Sequence, residues 1–194
     1  CYTTHISNAG LKWFAGEVQV ASSAGSTERV EPVAVVDYNN HELVVFFRSL
    51  DNNQNSDGVG AQRFSENGAL LWGDAGVVLK PTSSLQQYGS LAASMTNEGA
   101  VVVFTQSPSF GNDFIIAASI EQDGQPTWAT HFINVATTPS NKSRIATAST
   151  ADGMLLAWQD ARIDSNDIYG QRVNADGTLG NTSNCGSDVN GDGY

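Results

Sequence analysis

Val59-Gly-Ala-Gln-Arg-Phe-Ser-Glu-Asn-Gly-Ala-Leu-Leu-Trp72 sets the reading of the whole chain. It reads as a strand closing on Phe64, a tight turn at Asn67-Gly68, and a second strand opening on Trp72. Ser7-Asn-Ala-Gly-Leu-Lys-Trp13 and Gln122-Asp-Gly-Gln-Pro-Thr-Trp128 are versions of the same phrase. The three tryptophans stand 59 and 56 residues apart. A fourth copy begins at Val173-Asn-Ala-Asp-Gly-Thr-Leu179, but Gly180 and Asn181 occupy the place of the tryptophan. Other anchors keep the beat: Val33-Ala34, Leu91-Ala92 and Ile145-Ala146; Phe47, Phe104 and Trp158; Phe64, Ile120 and Val173. A period of this length is the signature of a repeat architecture.

Each repeat offers four strand candidates between Gly, Asn, Asp and Ser punctuation. The first has 17–21, 32–36, 43–48 and 59–64. The second has 77–80, 90–95, 100–105 and 114–120, and the third 131–135, 144–149, 154–159 and 168–173. No segment has a helical period, which predicts an all-β chain. The third strand of each unit is apolar on consecutive residues: Leu43-Val-Val-Phe-Phe47, Val101-Val-Val-Phe104 and Met154-Leu-Leu-Ala-Trp158. A strand with one wet face alternates, so an unbroken run predicts cover on both faces. Small residues in the second strand (Ala34; Ala92 and Ala93; Ala146 and Ala148) allow close approach of sheets. Four-stranded antiparallel sheets covered on both sides by their own kind describe a β-propeller. A two-layer sandwich is the rival and explains the regular beat less well.

The 194 residues fit one domain plus a tail. Charged residues make up 15% of the chain, against about a quarter in most globular proteins. With nine Lys and Arg and a formal net charge of −11, nucleic acid and anionic membrane surfaces are poor partners. Apolar runs such as Leu43–Phe47 fall far short of the roughly 20 residues of a membrane span. No secretion signal opens the chain, which predicts that one was removed or lies elsewhere. The opening Cys1-Tyr-Thr-Thr-His-Ile6 reads as the last strand of a unit whose other strands are missing, as in a piece processed from a longer polypeptide. Cys1 and Cys185 permit one intramolecular pairing; two free or intermolecular thiols, or a lipid anchor on Cys1, are the alternatives.

The strand–Asp/Asn-Gly–tryptophan phrase at Phe64–Trp72 and Ile120–Trp128 resembles the tryptophan-docking propeller repeats of the pyrroloquinoline-quinone type. The fuller form is Trp158-Gln-Asp160-Ala-Arg162, then Asp167-Ile-Tyr169-Gly-Gln171-Arg172, then Asp176-Gly177. It resembles tandem repeats of large secreted bacterial proteins. The second unit departs, with Ala118-Ser119 for Gln-Arg and Thr105 to Ser107 for Trp-Gln-Asp. The resemblance covers residues 1–180 and implies propeller blades at roughly 8–64, 65–120 and 121–173, with 1–7 an orphan outer strand. It implies an extracellular or cell-surface location and no quinone. Three blades do not close a ring, so further blades of the same polypeptide, a partner chain or a second copy must complete one.

Residues 181–194 read as a linker and the start of a calcium segment. In Asp188-Val-Asn190-Gly-Asp192-Gly193, oxygen side chains at positions 1, 3 and 5 with glycine at 6 match the first half of an EF-hand loop. The phrase also resembles the opening of a type I dockerin, which implies calcium as cofactor and a cohesin as partner. The remaining ligands of such a loop lie beyond Tyr194. A disordered acidic tail is the alternative.

The loops 49–58, 106–113 and 160–167 are expected on one face. They carry Asp51 and Asp57, then Asp113, then Asp160, Asp164 and Asp167. Asp160, Arg162, Asp164 and Asp167 form the candidate ligand face, suited to a cation or a cell-surface glycan. The plainer reading is that loop carboxylates satisfy loop amides. Asn67-Gly68 and Asp123-Gly124 lack the Asp-box spacing, so a turn plus a docked tryptophan is the better account. Trp13, Trp72, Trp128 and Trp158 are assigned structural roles, as are Arg63 and Arg172, each after a Gln. His5, His41 and His131 share no motif, and no nucleophile elbow or phosphate-binding glycine loop occurs. A non-catalytic scaffold or binding module is the reading favoured. A carbohydrate-active enzyme or glycan-binding subunit is the alternative, with carboxylates distant in sequence.

Overall fold

The structure is a computed structural model that describes residues 2–3, 6–7, 10–11, 18–21, 27–108, 111–163 and 166–180. Among these residues there is no helix. Four short strands come first: β1 (Tyr2–Thr3), β2 (Ile6–Ser7), β3 (Gly10–Leu11) and β4 (Val18–Gln19). β1 pairs with β4, and β2 with β3. Eleven longer strands follow, in three antiparallel sheets. The first sheet holds β5 (Thr27–Asp37), β6 (Glu42–Asp51), β7 (Asp57–Phe64) and β8 (Val77–Ser83) in chain order. The second holds β9 (Gln86–Met95), β10 (Ala100–Pro108), β11 (Asp113–Ile120) and β12 (Ile133–Ser140). The third holds β13 (Lys142–Thr150), β14 (Gly153–Asp160) and β15 (Asp167–Asn174).

The grouping of strands differs from the one read between tryptophans. β8 pairs with β7 and β12 with β11, so the first and second sheets take their fourth strand from the following repeat. Likewise Val18–Gln19 pairs with β1, not with the first sheet. The cause lies in the turn. After β7 the chain reverses, Leu70 bridges Phe64, and the Leu71 N–H donates to the Arg63 carbonyl at 2.8 Å. The chain then returns antiparallel to β7 as β8. Gly76 permits the return, with φ +71° and its backbone against the Ala61 carbonyl, where a side chain would not fit.

The sheets pack face to face in chain order, with β9 lying against both β5 and β13. β10 shows why its sequence is apolar throughout. Val102 and Phe104 join Val44, Phe46, Val59 and Ala61 in the core between the first and second sheets. Val101 and Val103 join Met154, Leu156 and Trp158 in the core between the second and third. The far side of the first sheet packs Val45, Phe47 and Phe64 against Val20 and Ala21. Burying such side chains contributes about 1.5–3 kcal/mol each, so these layers dominate the fold's stability.

The first strand of every sheet is kinked at one place. Register shifts fall between Val30 and Val33, between Val103 and Thr105 opposite β9, and between Ser143 and Ala146. At each, a residue other than glycine has positive φ: Glu31 at 51°, Ser90 at 48° and Arg144 at 54°. These are bulges that sharpen the local twist, and they recur with the repeat.

Candidate functional site

The tryptophans after β7 and β11 join one sheet to the next. Trp72 Nε1 donates to the Gln122 carbonyl at 2.9 Å, and Trp128 Nε1 to the Ala175 carbonyl at 2.7 Å. Each indole lies on the turn glycine of the following sheet. A Cβ at Gly124 would meet Trp72 Nε1 at 3.2 Å, and one at Gly177 the Trp128 ring at 2.8 Å. The Asn/Asp-Gly turn is thus both a reversal and a seat. Gln62 braces this loop, its Nε2 donating to the Gly73 carbonyl at 2.8 Å while its Oε1 accepts from Trp72 N–H at 3.2 Å. Gln171 reaches the Gly180 carbonyl in the same way at 3.1 Å. The second unit, which lacks Gln-Arg, closes the gap with Ser119 Oγ on Thr127 Oγ1 at 3.0 Å.

The repeated arginines hold hairpins. Arg63, 2% exposed, pairs with Asp37 at 2.6 Å and with Glu42 at the two ends of the β5–β6 hairpin. Arg172 pairs with Asp152 in the β13–β14 hairpin. Burial presses the Asp37 carboxyl upward, but hydrogen bonds from Asn40 and Arg63 leave it below the usual carboxylate range.

Carboxylates of the loop face are engaged by the protein itself. Asp51 Oδ1 accepts from Asn55 N–H at 2.6 Å and Ser56 N–H at 3.1 Å, closing its own loop. Asp57 accepts from the Tyr88 N–H of the next sheet at 2.8 Å and from Arg48 Nη2 at 2.7 Å. Asp113 accepts from the Lys142 N–H of its next sheet at 2.9 Å. A carboxylate at the head of the third strand therefore ties each sheet to the first strand of its successor.

Asp160 lies at the centre of a closed network. It accepts from Ser140 Oγ at 2.5 Å, Trp158 Nε1 at 3.0 Å, and Arg162 Nη2 at 2.5 Å and Nε at 3.1 Å. Lys142 Nζ stands 3.6 Å away and donates to Ser140 Oγ at 2.5 Å and the Asp113 carbonyl at 3.0 Å. The Lys142 and Asp160 side chains are both fully buried. Burial would raise the Asp160 carboxyl, but Arg162, Ser140, Trp158 and Lys142 together hold it well below the usual range. For Lys142, burial lowers the ammonium and outweighs the raising effect of Asp160. Arg162 also stacks on Tyr169 at 3.9 Å, and Tyr169 on Trp158. Asp160 and Arg162 are thus brought together as an internal ion pair, while Asp167 is exposed at the head of β15.

The loop face also holds an open polar cleft between the first and second sheets, about 360 Å³ in volume. Arg48, Gln54, Asp57, Gln86, Tyr88 and Thr105 contribute to its walls. Gln86 Oε1 is buried without a hydrogen-bond partner among the described residues. Sequence reasoning did not single out Gln86, Ser140 or Lys142, because none belongs to a motif and their surroundings come from other strands. His41 and His131 are both exposed, and His41 lies 3.9 Å from Glu66. Among the described residues, no group of three or more His, Cys, Asp or Glu is placed to hold a metal ion. Trp13, Asp164, Asp188, Asn190, Asp192, Cys1, Cys185 and His5 lie outside the described residues. No family model, curated protein or solved structure matches the chain.

Proposed function

We propose that the chain is a non-catalytic extracellular scaffold or binding module whose sheets are blades of a β-propeller. The observation that carries this reading is the fate of the recurring polar residues. Gln62, Arg63, Asp57, Asp113, Trp72 and Trp128 all hold turns or join sheets. A hydrolytic site needs carboxylates free to meet substrate, and Asp57, Asp113 and Asp160 already face internal donors. Residues 181–194, with Asp188, Asn190 and Asp192, are then a calcium-dependent tether to a larger assembly, with a cohesin-like partner.

A second reading, a glycan-binding subunit, is favoured by the polar cleft. Its amides, hydroxyls and the unpaired Gln86 Oε1 suit a neutral polyhydroxyl ligand. A glycan array probed with and without calcium, beside a hydrolysis assay on the glycans that bind, separates the readings. The module reading expects no turnover. Turnover that is abolished by Asp160→Asn with the fold intact would replace it with the carbohydrate-active enzyme.

A further inference from the structure

The third sheet fills its loop end with an internal network, and the second sheet has the same place without one. In the third, Lys142 pairs across strands with Asp160. Ser140, two residues before Lys142, donates to the Asp160 carboxylate, as do Trp158 and Arg162, two residues to either side of Asp160. In the second, the cross-strand partners at that register are Tyr88 and Gln106. Counting outward, Gln86 stands for Ser140, Phe104 for Trp158 and Pro108 for Arg162, each pair 54 residues apart. Packing agrees with the count. Phe104 lies in the core between the first and second sheets, as Trp158 does between the second and third. The carboxylate from the preceding sheet agrees too: Asp57 accepts from the Tyr88 N–H and Asp113 from the Lys142 N–H.

The second sheet keeps the acceptors and loses their donors. Gln86 Oε1 and Gln106 Oε1 are both buried, and neither has a hydrogen-bond partner among the described residues. Lys142, Trp158 and Arg162 donate to Ser140 or Asp160 in the third sheet; Tyr88, Phe104 and Pro108, in their places, donate to neither glutamine oxygen. The register makes Gln86 and Gln106 diagonal neighbours on one face of the sheet. Buried acceptors are costly to leave unfilled, so two side by side call for donors from water or a ligand. The polar cleft of about 360 Å³ opens at this place, with Gln86, Tyr88, Asp57 and Arg48 among its walls.

Resting on the glycan-binding reading above, we propose that this cleft is the sugar site, and that Gln86 and Gln106 accept hydrogen bonds from the hydroxyls of one neutral sugar unit. Neutrality follows from the walls. Gln106 stands where the third sheet has the carboxylate that meets Lys142 and Arg162, and an amide oxygen calls for no counter-charge. Arg48 is already paired with Asp57 and Glu31. The volume is at the small end of ligand pockets, roughly 300–1,000 Å³, which suits one or two rings and not a long chain. A sugar bound there touches walls from both sheets, and its hydroxyls stand in for the donors that the third sheet supplies from within.

Calorimetric titration with free glucose, galactose, mannose and N-acetylglucosamine at millimolar concentration compares the native chain with Gln86→Met and with Gln106→Met. Methionine keeps the side chain's length and removes the acceptor. At least one of these sugars is expected to bind the native chain. Each variant is expected to bind it about tenfold more weakly, the loss of one hydrogen bond to a buried acceptor. The permethylated form of that sugar, which has no hydroxyl donor, is expected not to bind. Without sugar, the melting temperatures of both variants should hold or rise, because an unfilled acceptor has been removed; a residue that merely braced the fold would lower them. Native affinity in either variant, a fall in either melting temperature, or binding of the permethylated sugar as tight as that of the free one would overturn the site. If none of the four sugars binds while a glycan array shows other glycans bound, the site falls and the glycan reading stands; an empty array removes both.

Discussion

Trp128 Nε1 donates to the Ala175 carbonyl at 2.7 Å, joining residues 47 apart in sequence across two sheets. The indole is 4% exposed and rests on Gly177, whose φ of +83° and contact with the ring exclude a side chain. Trp128→Ala should therefore cost about 3–5 kcal/mol, as for other buried aromatics. Gly177→Ala should destabilise as well, through both strain and overlap, by about 1–3 kcal/mol. Urea denaturation followed by tryptophan fluorescence measures both. Loss of less than about 1 kcal/mol in Trp128→Ala would remove the indole's role as a joint.

Acid sensitivity should be set in part by Asp160. Its folded-state pKa lies below its unfolded value, so the stability it contributes is present above about pH 4 and is lost as pH falls further. The unfolded chain takes up a proton there that the folded chain refuses. Asp160→Asn removes the carboxylate that Lys142 and Arg162 share and should cost about 3–5 kcal/mol at pH 7. The same variant should lose less stability than the native chain between about pH 5 and pH 2. Equal acid losses in the two proteins would contradict this.

Asp57 and Asp113 tie different pairs of sheets and share no partner. Each change to Ala strands a backbone N–H, of Tyr88 or Lys142, at a cost of about 1–3 kcal/mol. The double variant should lose the sum to within about 0.5 kcal/mol. Strong coupling between the two would mean that the interfaces are not separate.

The apolar runs were legible because Val101 to Phe104 must cover two faces, and they do. The turn and the docked tryptophan were legible from the Asn/Asp-Gly phrase, but not that Trp72 and Trp128 dock on Gly124 and Gly177 of the following sheet. The phase of the repeat was not: a period fixes spacing but does not say which sheet Val77 joins. Only two residues separate β8 from β9, which looks like a hairpin, yet the hydrogen bonds of β8 go to β7. Lys142 was also illegible. No motif marks it, and its burial is created by Asp113, Thr138 and Asp160 from other strands.

The recurring bulge was likewise hidden, because Glu31 and Arg144 are not turn residues and Ser90 opens the strand expected at 90–95. Ser90 has φ 48°, a conformation that β-branched side chains resist. Ser90→Val should cost about 1–2 kcal/mol, whereas Ser90→Gly should change stability by less than about 1 kcal/mol. Thermal melts of the two variants check the contrast; equal melting temperatures would place Ser90 in ordinary strand geometry.

Stacking of successive sheets through their first strands is the claim on which the rest stands. Ser94 Oγ and Ser149 Oγ lie 2.8 Å apart, on β9 and β13 of neighbouring sheets. Ser94→Cys with Ser149→Cys, with Cys1 and Cys185 changed to Ser, should form one disulfide within the chain under mild oxidation. It should add about 2–4 kcal/mol of stability. A folded chain that keeps both thiols free, or links them only between chains, would contradict the stacked arrangement.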